Sequence, residues 1–120
     1  MTPYRRLAIR EAGDITVVTF RDHRLDHLPE ITELGQELIR LVDEGRHRKL
    51  VLNLAGVELM SSIVLCKLIS LCARVKSSNG IVKLCNLEPQ VLEVIQMCKL
   101  DRIFDIAQDE TEAELSFPRL

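Results

Sequence analysis

The chain has 120 residues, enough for one domain with one hydrophobic core and too few for two ordinary ones. Hydrophobic residues make up 47% of it and charged residues 28%, the balance of an ordinary globular protein. The 16 basic and 18 acidic residues are interspersed, so no broad basic face is expected for nucleic acid, and no stretch approaches the ~20 apolar residues of a membrane span.

The N-terminal Met1-Thr2-Pro3-Tyr4-Arg5-Arg6 carries charge with no apolar run behind it, which does not read as a signal peptide. Leu7-Ala8-Ile9 and the β-branched Ile15-Thr16-Val17-Val18-Thr19-Phe20 read as two strands. Ala12-Gly13-Asp14 between them has turn composition, so an antiparallel hairpin is expected. From Pro29 to Glu44, Ile31, Leu34, Leu38, Leu41 and Val42 recur at spacings of three and four, the apolar stripe of a helix lying on a sheet. Pro29 suits its first turn and Gly45 its stop. The basic run Arg46-His47-Arg48-Lys49 reads as a solvated turn.

Leu50-Val51-Leu52-Asn53-Leu54 reads as a strand buried on both faces, the pattern of a central strand in a covered sheet. A helix is expected from Ser62 to Ser77, apolar nearly all round except for the stripe Lys67, Ser70, Arg74 and Ser77. Ser78-Asn79-Gly80 closes it, and Ile81–Cys85 is the next strand. Glu88-Pro89 opens a third helix with Val91, Leu92, Val94, Ile95 and Cys98 turned inward. Ile103–Ala107 is a last strand, and Asp109 caps a last helix through Leu115. The order β-β-α-β-α-β-α-β-α predicts a single α/β domain over residues 1–120. Its sheet is mixed, mostly parallel, with four or five strands and about four helices.

Reactive constellations are scarce. Five dispersed glycines form neither GxGxxG nor a Walker pattern, and with no Trp, one Tyr and three Phe there is no stacking platform for bases. Cys66, Cys72, Cys85 and Cys98 form no CxxC pair and lie within apolar patterns, which predicts buried free thiols in a reducing cytosol. His23 and His27 are four apart but flank Arg24-Leu25-Asp26 ahead of the first helix, so they are not expected to chelate a metal. No catalytic residues, metal or cofactor are assigned, and the chain reads as a binding module. Ser61-Ser62, between the buried strand and the buried helix, stand out. At least one should cap the helix through its hydroxyl, and a helix start also accommodates a phosphate.

Four segments in order resemble the STAS domain of bacterial anti-sigma factor antagonists. Gly13-Asp14-Ile15-Thr16-Val17-Val18 is similar to that family's opening hairpin, and Arg24-Leu25-Asp26-His27 to its Gly-x-Leu-Asp segment. Leu50–Leu54 followed by Val57-Glu58-Leu59-Met60-Ser61-Ser62 resembles its strand and Asp-Ser-Ser-Gly loop. Lys99-Leu100-Asp101-Arg102-Ile103-Phe104-Asp105-Ile106 resembles its Gly-Leu-x-x-x-Phe-x-Ile ending. The resemblance implies a cytoplasmic partner-switching protein. Its partner would be an anti-sigma factor, usually a serine kinase with a histidine-kinase-like ATPase fold. The contact surface it implies comprises Arg24, Asp26, Ser61, Ser62, Ile63 and Lys67. In the strict alignment Ser61 takes the place of the family's Asp and Ile63 that of the phospho-acceptor, while Val64 and Cys66 replace two glycines. On that alignment the usual acceptor hydroxyl is missing, whereas a shift of one residue restores it at Ser62; strand spacing favours the strict alignment, and Ser62 and Ser61 are the candidate phosphorylation sites. Two other readings stand beside this one: a sensor binding a nucleotide or lipid between sheet and helix, and an oligomeric scaffold, such as a weak homodimer, joined through the hairpin.

Overall fold

A computed structural model describes residues 3–44 and 49–117; the expected stop at Gly45 and most of the basic run after it, Arg46 to Arg48, lie outside them. The hairpin forms as the sequence predicts, from β1 (Leu7–Ala12) and β2 (Ile15–Phe20), antiparallel with Leu7 opposite Phe20 and Ala12 opposite Ile15. Gly13 makes the turn at φ +64°, a conformation that a side chain would oppose. Helix α1 (Leu28–Glu44) follows, then β4 (Lys49–Asn53), α2 (Ser62–Ser77), β6 (Ile81–Cys85), α3 (Pro89–Met97), β7 (Asp105–Ala107) and α4 (Glu110–Leu115). Two further strands of two residues each, β3 (Arg24–Leu25) and β5 (Leu59–Met60), escape the pattern of the sequence. The last strand is shorter than expected. Leu100–Arg102 forms a 3-10 turn, and Ile103 is 56% exposed ahead of the strand.

The main sheet runs β1-β2-β4-β6-β7, with β4 in the middle and every pairing beyond the hairpin parallel. Alternation along the strands divides two apolar layers. Val18, Leu50, Leu52 and Leu84 face a large core shared with Ile31, Leu34 and Leu38 of α1, Val64, Leu68 and Leu71 of α2, and Val91 and Ile95 of α3. Val17, Val51 and Cys85 face a smaller one closed by Ala107, Ala113 and Phe117. Leu50, Val51 and Leu52 have no measurable exposure, so the run of three apolar residues does mark a strand covered on both faces.

Polar groups stitch the edges of this arrangement. The buried Glu37 carboxylate accepts from the backbone N–H groups of Arg5 and Arg6 at 2.9–3.2 Å, tying the N-terminal segment to α1. Asn53 donates to Glu110 and, through its Oδ1, accepts from the Ala55 N–H at 2.9 Å and from Asn86 at 3.2 Å. The end of β4, the loop after it and α4 are thereby held to one another. Lys83 lies under Phe117, its ammonium 5.2 Å from the ring centre, and pairs with Asp105 at 2.6 Å.

Three expectations need correction. The cysteines are not uniformly buried: Cys85 is buried and Cys72 half-buried, but Cys66 and Cys98 are exposed. Burial pushes the Cys72 thiol up to about 11 and that of Cys85 to about 12, so neither is a nucleophile at neutral pH. Helix α2 is also not buried all round, since Ile63, 47% exposed, and Cys66 face outward. On α3, Val91 and Ile95 point inward as expected, whereas Val94 and Cys98 do not.

Leu68 of α2 has no exposure and sits among the residues packed on the sheet. Replacing it with Ala is expected to cost ~2–5 kcal/mol, read as a shift of the urea midpoint with an unchanged slope. A loss below ~1 kcal/mol would show that α2 does not anchor the core.

Candidate functional site

The parallel crossover from β4 carries the chain past the sheet and back into α2, so the N-terminus of α2 comes up beside the strand's end. The loop between them is shaped by Gly56 at φ +81°, whose carbonyl accepts a bond from His23 Nδ1 at 2.9 Å. A Cβ at Gly56 would stand 3.2 Å from that nitrogen. The Gly56 N–H donates to the Glu88 carboxylate at 3.0 Å, so Glu88, although it precedes α3, serves the loop and does not cap its own helix. His23 is thus engaged with backbone, and His27 lies just ahead of α1. Among the described residues no group of three or more His, Cys, Asp or Glu is placed to hold a metal ion.

Strands β3 and β5 then pair in parallel, Arg24 opposite Leu59 and Leu25 opposite Met60. The Glu58 N–H donates to the His23 carbonyl at 2.7 Å and the Ser61 N–H to the Leu25 carbonyl at 3.0 Å. Leu25, with no exposure, anchors the pair in the core. This small sheet brings the segment holding Arg24 and Asp26 alongside the one leading into Ser61, Ser62 and Ile63.

The two serines differ. Ser61 is the N-cap of α2, with extended backbone and a hydroxyl that accepts from the Val64 N–H at 3.5 Å, the long limit of such a bond. Ser62 is the first residue of the helix and is exposed, as is Ile63 beside it. No acidic residue lies in this first turn. The positive end of the helix dipole is therefore left without a carboxylate from its own helix. Arg24 pairs with Asp26 at 3.2 Å, and the His27 ring lies 3.8 Å from the same carboxylate. Exposed aliphatic side chains border the set, Leu28 at 60% and Leu59 at 40%.

Lys67 does not join Arg24 and Asp26. Those two line a recess shared with Arg6, Asp22, His27 and Glu30. Beside them the Arg6 guanidinium holds the Glu33 carboxyl below its usual range, and Glu33 in turn raises the Arg6 pKa. Lys67 lies instead in a groove between α1 and α2, together with Ile63. Of the six expected surface residues, then, five gather around the N-terminus of α2, and Lys67 and Ile63 share the neighbouring groove. Sequence reasoning missed Gly35 and Ile39 of α1, which form the other wall of that groove. Ile39, outside the apolar stripe of α1, was the available signal.

Over the described residues the fold is an α/β sandwich of a mixed five-stranded sheet with three helices on one face and one on the other. The family model of the STAS domain matches residues 6–113, and this chain belongs to that family. Among solved structures, an anti-sigma-factor antagonist (STAS) domain protein from Planctomyces limnophilus is similar with a TM-score of 0.83 at 24% identity, covering 92% of this chain and 96% of its own. An anti-sigma factor antagonist from Mycobacterium paratuberculosis has a TM-score of 0.73 at 17% identity, with 92% and 91% covered. The Bacillus cell fate determinant SpoIIAA in its phosphorylated form has a TM-score of 0.69 at 15% identity, with 92% and 99% covered. At these identities the likeness is one of fold. No curated protein matches the sequence.

The division of labour between the serines has a direct consequence. Ser61→Ala is expected to lower stability toward the lower end of the ~0.5–2 kcal/mol typical of a lost cap, given the long bond, and Ser62→Ala to leave it nearly unchanged. Thermal melts of both variants check this, and the reverse order would place the cap at Ser62.

Proposed function

We propose that this chain is a regulatory protein-binding module of the anti-sigma factor antagonist type. On this reading it acts in the cytoplasm and binds an anti-sigma factor, or a serine kinase with a histidine-kinase-like ATPase fold. The observation that carries the proposal is the β3–β5 pairing, which sets the Arg24–Asp26 pair beside the exposed start of α2. Ile63, Leu28 and Leu59 are exposed there among charged and polar neighbours, a mixture suited to protein contact. Membership of the STAS family and the likeness in fold to anti-sigma factor antagonists support the same reading.

Regulation by phosphate would differ from the usual scheme. On the strict alignment with the family's loop, Ile63 takes the acceptor's place and has no hydroxyl. Ser61 spends its oxygen on the cap, which leaves Ser62 as the accessible hydroxyl. A phosphate of about -1.5 to -2 charges on Ser62 would meet the positive end of the α2 dipole, favourable by roughly 0.3–1 kcal/mol. Modification there would leave the fold intact and act by burying an unpaired charge against a partner. We read the chain as a binder that is not switched at the usual position.

Affinity capture from the native host, followed by mass spectrometry, is expected to recover an ATPase of the kinase-like fold or another anti-sigma factor; recovery of the chain alone would favour the scaffold reading. Against the recovered partner, Arg24→Glu, Asp26→Lys and Ser62→Glu are each expected to weaken binding at least tenfold with little change in melting temperature. Wild-type affinity in all three would place the interface elsewhere. Incubation with the partner kinase and ATP is expected to give no mass shift. Stoichiometric phosphorylation of Ser62 with loss of binding would instead show that the switch survives one residue earlier.

A further inference from the structure

The groove between α1 and α2 has a volume of about 370 Å³, within the range of small-ligand sites. Its walls are largely aliphatic, with Leu38 and Ile39 from α1 and Ile63 and Leu71 from α2, and Cys66 and Ser70 also contribute. One cation enters it uncompensated. Arg74, at the far end, is already neutralised by Asp43 through two bonds of 2.9 Å. Lys67 has no ion pair or hydrogen bond among the described residues.

The position of that ammonium is set by Gly35. A Cβ built there would lie 2.8 Å from Lys67 Nζ and 3.0 Å from its Cδ, so the lysine side chain lies directly on the α1 backbone. A side chain at position 35 would push the flexible lysine end off this path. The lysine stem thus runs along the α1 backbone and brings its ammonium to the groove beside Ile39 and Ile63. An unpaired cation beside an apolar surface is matched by an anion that brings its own apolar body, which would pair the charge and cover the aliphatic walls together.

We propose that this groove is a binding site for a small aliphatic carboxylate, with the carboxylate on Lys67 and the hydrocarbon between Ile39 and Ile63. Nucleotides fit poorly: the groove offers one free cation for several phosphate charges and has no aromatic lining. The site stands whether or not the α2 N-terminus contacts an anti-sigma factor.

The test is a titration of the 15N-labelled full chain with hexanoate, octanoate and decanoate, each kept below its micelle concentration. Decylammonium and decanol serve as comparisons. Saturable shifts are expected at the amides of Gly35, Ile39, Ile63 and Lys67. Affinity is expected to rise roughly fourfold per added methylene, the equivalent of ~0.8 kcal/mol, until the groove is filled. Lys67→Met keeps the apolar stem and is expected to weaken decanoate at least tenfold, with amide positions outside the groove unchanged. Absence of saturable shifts, equal binding of decylammonium or decanol, or wild-type affinity in Lys67→Met would each overturn the assignment. A groove that ignores every acid but becomes protected by a captured partner would be a protein contact, and the small-ligand inference would fall.

Discussion

Strand β4 sets the terms for the rest of the molecule. Leu50, Val51 and Leu52 are without exposure, and because successive side chains point to opposite faces, both faces of the strand must be covered. Its parallel neighbours β2 and β6 require crossovers, and the crossover after β4 supplies α2, whose Val64, Leu68 and Leu71 fill one face. Among the described residues the other face receives α4 and Phe117, held by the links from Asn53 to Glu110 and from Lys83 to Asp105. A helix that begins just after a parallel strand presents its N-terminus at the strand's C-terminal end. The candidate surface lies where it does because β4 is central.

Geometry at that end is then refined by contacts too small to read in a linear pattern. Two residues on each side make the β3–β5 pair, and its hydrogen bonds are all between backbone groups distant in sequence. Without it Asp26 would have no defined relation to Ser61. Gly56, His23 and Glu88 add a further brace in which each side chain serves backbone. This local rigidity means that the exposed Ser62 and Ile63 are offered on a fixed frame, and a preformed surface loses less entropy on binding than a mobile loop.

Much of the architecture was legible because local and long-range signals agree. The bounds of β2, α2 and β6 follow directly from β-branched runs, from the Ser61 cap and from Asn79-Gly80, where Asn79 takes φ +62°. Asp109 caps α4 as its position predicts, accepting from the Glu112 N–H at 2.8 Å. What the pattern misjudged was how far burial extends around α2. Ten apolar residues in sixteen imply a helix covered on all sides, yet Ile63 and Cys66 remain outside. Periodicity reports which residues could be buried, and only the packing of α1, with Gly35 under Lys67, decides which are. The same limit explains Cys98 and Val94, apolar by type and exposed by position.

The central claim is that partner contact falls on the α2 N-terminus and the β3–β5 pair, and not on the hairpin edge. Amide hydrogen exchange of the free chain and of its complex with the captured partner measures this directly. Slowed exchange confined to residues 24–28 and 59–67, with β1 and β2 unchanged, is the result expected. Protection of β1 with unchanged exchange at the start of α2 would contradict it.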